Sequence, residues 1–65
     1  MTIGQRIKAE RERQGLTIKE LAKKASMNAG KIYNYEEEIS NPDWNTAEWL
    51  FNAMGLTIEL KQEAI

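Results

Sequence analysis

The chain has 65 residues, 42% of them hydrophobic and 29% charged, with nine Lys/Arg, ten Asp/Glu and a net charge of −1. That is enough for a single domain over residues 1–65, and a domain this small buries only about 60% of its unfolded surface, so assembly with another copy would add to a narrow stability. Cysteine and histidine are both absent, which excludes disulfides and thiolate or imidazole metal sites.

No apolar run approaches the roughly 18 residues of a membrane span, and no signal peptide opens the chain. The expectation is a cytoplasmic chain with no membrane partner, no metal and no cofactor. Its charge is sorted along its length. Residues 1–31 hold eight Lys/Arg against three acids, a balance of +5, and residues 32–65 hold one Lys against seven acids, a balance of −6. One end suits phosphate and the other suits water or a partner. A solvated surface whose charge happens to be sorted is the plainer alternative.

Ile3 to Gln14 reads as a first helix, with Thr2 as N-cap and Gly15 where a helix stops. Ile3 and Ile7 define its inward stripe. Thr17-Ile18-Lys19-Glu20 is a capping box that opens a second helix running to about Lys24. Leu21, Ala22 and Ala25 form its small apolar face, and Lys19, Lys23 and Lys24 lie mostly outside it. After a short turn, Asn28 caps a third helix reaching about Glu37, with Ile32 and Tyr35 inward and Met27 packed at its entrance. Gly30 within this helix costs about 1 kcal/mol against alanine. It marks either a close approach or a plain weak spot.

Glu38 to Asn45 is a loop containing Pro42. Asn45 or Thr46 is expected to cap a fourth helix that ends at Met54, with Gly55 beyond it and Trp44, Ala47, Leu50, Phe51 and Met54 as its buried stripe. Leu56 to Lys61 alternates apolar and polar, the period of a strand. Its simplest partner is the same strand of a second copy, with Ile58 and Leu60 on one face. A short fifth helix capped by Thr57 is the competing reading, and the two-residue spacing favours the strand.

Several of these features occur together in one known family. Gly15-Leu16-Thr17, Glu20-Leu21-Ala22, Ala25, Ile32, the pair Tyr35-Glu36 and Pro42 resemble the Cro and lambda-repressor family of helix-turn-helix proteins, also called XRE-like. The resemblance runs from Ile3 to Gly55, with the motif at residues 17–37. It implies an all-α bundle of four or five helices and homodimers on pseudo-palindromic double-stranded operators, with the third helix in the major groove. By position it implies base reading by Asn28, Ala29, Gly30, Lys31, Tyr33 and Asn34. It implies phosphate contact by Arg6, Arg13, Thr17, Ile18, Lys19, Lys23, Ser40 and Asn41. It also implies a structural ion pair between Arg11 and Glu36. Base chemistry agrees: Lys31 suits guanine O6 or N7, Asn34 suits adenine, and Ala29 suits a thymine methyl. For a generic helix the same residues would simply form its surface.

The chain departs from the family pattern at five places. Ile18 stands where glutamine is frequent, Glu10 where an inward leucine is usual, and Glu37 and Glu38 where residues kinder to phosphate are common, Glu38 also replacing a frequent glycine. Trp49 stands at a usually polar position and is expected on the surface, as a dimer or partner contact beside the tail. A tryptophan folded over the core edge is the plainer reading. With no His, no Cys and no glycine-rich phosphate loop, an enzyme is not expected. The expected function is a dimeric, sequence-specific transcriptional repressor. The alternative is a protein-binding module, such as an antitoxin whose acidic half engages a toxin or other basic partner.

Overall fold

The computed structural model describes residues 2–56. They form α1 (Ile3–Arg13), α2 (Ile18–Ala25), α3 (Ala29–Glu36) and α4 (Trp44–Ala53), with no strand among the described residues. This is the all-helical bundle expected, with boundaries within one residue of the sequence reading except at the start of the fourth helix, which begins two to three residues earlier. α1 and α2 each pack against both α3 and α4. Every helix sends one aliphatic side chain to the centre: Ile7, Leu21, Ile32 and Leu50 are all 0% exposed. Burial of each favours folding by about 1.5–3 kcal/mol. Ala22, Ala25, Tyr35, Ala47, Phe51 and Met54 complete the core.

Side-chain caps open all four helices. The Thr17 Oγ accepts the Glu20 N–H at 3.0 Å, and the Glu20 carboxylate accepts the Thr17 N–H at 2.8 Å. Thr2 and Gln5 form the same reciprocal box at the start of α1. Asn28 Oδ1 accepts from Gly30 at 2.7 Å and Lys31 at 3.3 Å. The fourth cap corrects the sequence reading. It is Asp43, whose carboxylate accepts the Thr46 N–H at 2.8 Å, so Asn45 and Thr46 lie inside the first turn.

One closure ends all four helices. Gly15, Ser26, Glu38 and Gly55 adopt left-handed backbone, with φ of 72°, 55°, 61° and 82°. The N–H of the next residue then reaches back five positions: Leu16 to Arg11 O at 3.0 Å, and Met27 to Ala22 O, Ile39 to Asn34 O and Leu56 to Phe51 O, each at 2.9 Å. This is the Schellman arrangement, which satisfies carbonyls that lack intrahelical donors. Its apolar follower folds onto the core at Leu16, Met27 and Leu56, whereas Ile39 stays 66% exposed.

Two expected core positions are displaced outward. Ile3 and Trp44 are each 38% exposed. In α1 the inward stripe is Gly4, Ile7 and Arg11. A β-carbon at Gly4 would collide with the Tyr35 carbonyl, so α1 lies against the end of α3 there and Ile3 is turned aside. Trp44 begins α4, one turn before the buried set starts at Ala47. Of the alternating tail at 56–61, only Leu56 is among the described residues. The expected strand with Ile58 and Leu60 lies outside them. Among the described residues, no helix is long and apolar enough to cross a membrane.

Candidate nucleic-acid interface

The interface expected from the sequence is built on α2, the turn after it, and α3. Ser26 in left-handed backbone ends α2, and Asn28 starts α3 two residues later, so the reversal is as short as the motif requires. At the start of α2, Thr17 takes the Glu20 N–H, while the N–H groups of Ile18 and Lys19 precede the first intrahelical acceptor. Such groups, with the positive end of the helix dipole, suit an anion. The Ile18 side chain itself packs partly on the core, so its outward contribution is backbone alone.

The basic side chains differ in freedom. Arg6, Lys19, Lys23 and Lys24 are exposed. Arg13 is also exposed but pairs with Glu10, at 2.7 Å from Nη2 and 2.9 Å from Nε. That pair supplies the donor which Glu10 needs at an otherwise inward position. Lys8 lies 3.9 Å from Glu37, offsetting one of the consecutive glutamates. Glu38 is exposed, as are Ser40 and Asn41 in the following loop.

The α3 residues separate into three groups. Gly30, Lys31 and Tyr33 are exposed, Tyr33 by 49%. Ala29 and Asn34 are half-buried, with Ala29 packed partly on the core. Asn28 is exposed, but its Oδ1 is occupied by two backbone donors, leaving the amide NH₂ as its outward chemistry. The β-carbon of an alanine at Gly30 would sit 3.0 Å from that same Oδ1. Glycine here therefore has a local reason in the cap. Asp43 lies near enough to Lys31 to feel its charge. The Thr46 hydrogen bond first, and Lys31 further, hold the Asp43 carboxyl below its ordinary value.

Behind this surface Arg11 and Glu36 form a two-pronged pair, Nε to Oε2 at 2.8 Å and Nη2 to Oε1 at 2.9 Å. Both residues are buried. Arg11 Nη1 also donates to the Leu16 carbonyl at 2.8 Å, tying α1, α3 and the start of α2 together. The Glu36 hydrogen bonds raise the guanidinium pKa further, against the effect of burial.

Two ties had no place in the sequence reading. Gln14 Nε2 donates to the Met54 carbonyl at 2.8 Å, and the Trp49 indole N–H donates to the Ala25 carbonyl at 2.6 Å. Trp49 is 58% exposed, so it is a surface residue whose polar atom is nonetheless committed inward. Neither contact leaves a periodic trace, because the partner is a distant main-chain carbonyl. Asp43 did carry a signal: an acid directly after proline at the head of an apolar stripe.

Comparison with known proteins agrees with this architecture. A family model described as a helix-turn-helix domain matches residues 2–64. The immunity repressor protein of Bacillus phage phi105 is 38% identical over 58 residues, covering 89% of this chain and 40% of that protein. The HTH-type transcriptional regulator ImmR of Bacillus subtilis (strain 168) is 32% identical over 59 residues, covering 91% of this chain and 46% of that protein. The chain thus spans less than half the length of the curated relatives it matches. No solved structure matches it. With two capped helices joined by a three-residue turn and a family match over nearly its full length, the chain belongs to the XRE-like helix-turn-helix domain family.

Proposed function

We propose that this chain is the DNA-binding part of a transcriptional regulator, acting as a repressor. α3 enters the major groove, the α2 N-terminus meets a phosphate, and Arg6, Lys19 and Lys23 hold the backbone. The observation that carries the reading is the exposed face of α3, where Lys31 and Tyr33 stand clear of the core within a helix-turn-helix fold. Relatives named as a repressor and a transcriptional regulator support it. Lys31 reads guanine and Asn34, half-buried, reads adenine at the edge of the surface. Two copies bind a pseudo-palindromic operator, each presenting its α3 to one half-site. The reading assigns the chain no catalysis and no cofactor.

Selection of bound sequences from random double-stranded DNA at physiological salt tests this directly. A palindromic consensus is expected, with affinity falling steeply as salt rises because bound counterions are released. Lys31→Ala with Asn34→Ala should relax the consensus at their positions, each lost base contact weakening discrimination by about 1–3 kcal/mol. An unchanged consensus in that double variant would place base reading elsewhere. The exposed carboxylates of Glu37 and Glu38 favour a second reading, a basic protein partner such as a toxin. That reading predicts no consensus and a salt-sensitive protein complex instead.

A further inference from the structure

Trp49 serves two environments at once. The residue is 58% exposed on α4, yet its indole N–H donates to the Ala25 carbonyl at 2.6 Å. Ala25 is the last residue of α2, and Ser26 beside it carries the left-handed backbone that turns the chain toward α3. The carbonyl belongs to a helix end, where intrahelical donors have run out. Its donor comes from a planar side chain mounted on α4 next to Leu50, one of the fully buried residues. The start of the turn is thus fixed to α4 by one short bond.

We propose that Trp49 is a positioning residue for α3, holding the Ala25 carbonyl so that the turn presents α3 at the angle base reading requires. The inference rests on the reading of α3 as the base-reading helix. Met27, the residue after the left-handed Ser26, packs on the core, and Asn28 begins α3 immediately after it. Little chain is therefore available to absorb a shift at Ala25. Contacts to base edges tolerate little displacement, whereas contacts from long lysine side chains to phosphates tolerate more. Loss of the indole bond should consequently cost sequence discrimination more than overall affinity.

The test uses the full chain with Trp49→Phe, which keeps an aromatic ring and removes the donor, and Trp44→Phe as a control. Affinity is measured for a selected operator duplex and for a scrambled duplex, well below the unfolding midpoint. A merely structural loss lowers the folded fraction and weakens both complexes equally. The positioning role instead lowers the operator-to-scrambled ratio, by roughly three- to tenfold for one hydrogen bond, and Trp44→Phe leaves it unchanged. In the wild-type chain the Trp49 indole proton should also exchange with solvent more slowly than that of Trp44. An unchanged ratio in Trp49→Phe, or equally fast exchange at both indoles, overturns the proposal. A wild-type chain that prefers no duplex overturns the DNA reading and this role with it, and the wild-type measurement alone separates that failure from the others.

Discussion

At Gly4 two physical rules oppose each other. Alanine is the better helix former by about 1 kcal/mol. Its β-carbon, however, would meet the Tyr35 carbonyl, a main-chain group that cannot swing aside. Overpacking of this kind typically costs 1–3 kcal/mol, so the clash wins. Gly4→Ala should lower stability by up to about 2 kcal/mol in urea unfolding, and a gain would show that the α1–α3 approach relaxes freely. Glu38 presents the opposite case. It holds left-handed backbone at φ 61°, which costs a residue with a β-carbon about 1–2 kcal/mol. Glycine removes that strain but loses about 0.5–1 kcal/mol more chain entropy. Glu38→Gly should therefore stabilise the fold by about 0.5–1 kcal/mol, seen as a rise in thermal midpoint of several degrees. A lower midpoint would mean that the glutamate side chain contributes more than its strain costs. Gly15 and Gly55 announced their helix ends because glycine is the residue that left-handed backbone favours. Ser26 and Glu38 do the same job without that signature, so residue type does not reveal their left-handed backbone, and only the family resemblance marks Glu38 as a glycine position.

Helix starts were more legible than helix ends because a capping oxygen must sit directly before the first turn. Thr2, Thr17 and Asn28 were each the nearest such residue to an apolar stripe, and each caps its helix. Before α4, Asn45 and Thr46 stand nearer the apolar stripe, yet the cap is Asp43. Asp43 wins because its carboxylate reaches the Thr46 N–H while carrying the charge a helix N-terminus favours. That charge makes a pH prediction. The carboxyl lies below its ordinary value of 3.8 in the fold, through the Thr46 hydrogen bond first and the charge of Lys31 further. The folded state therefore holds its proton less tightly than the unfolded chain. The contribution is complete above the unfolded pKa and is lost as pH falls through the folded one. Asp43→Asn retains a capping oxygen without the charge. It should be less stable than wild type at neutral pH, with the gap closing as unfolding is followed from pH 5 down to about pH 2. A gap that stays constant over that range would remove the carboxylate from the acid response.

At the scale of the molecule, the core was legible from helical periodicity, since Ile7, Leu21, Ile32 and Leu50 each sit on a local stripe. The links between helices were not, because a bond between residues 25 apart leaves no local pattern. Arg11 with Glu36 was named only through the family resemblance, and the exposed reading surface likewise came from motif position. Yet this pair bears on whether the chain folds at all. A 65-residue domain has roughly 3–10 kcal/mol of stability in total. Removing one partner of a buried ion pair costs about 3–5 kcal/mol, because the remaining charge is left without its counterpart. Glu36→Ala would leave the Arg11 guanidinium buried with the Leu16 carbonyl as its remaining close acceptor apart from the more distant Glu12 carboxylate. The thermal midpoint followed by circular dichroism should fall by roughly 12–40 °C, and at the low end of that total stability the cooperative transition should be lost altogether. Replacing both partners with apolar residues of similar volume, Arg11→Met with Glu36→Leu, removes the stranded charge and should recover a cooperative transition. Recovery would show that the single variant fails through an unpaired charge. If the double variant were as unfolded as Glu36→Ala, the geometry of the pair itself, including the Leu16 contact, would be what joins α1 to α3.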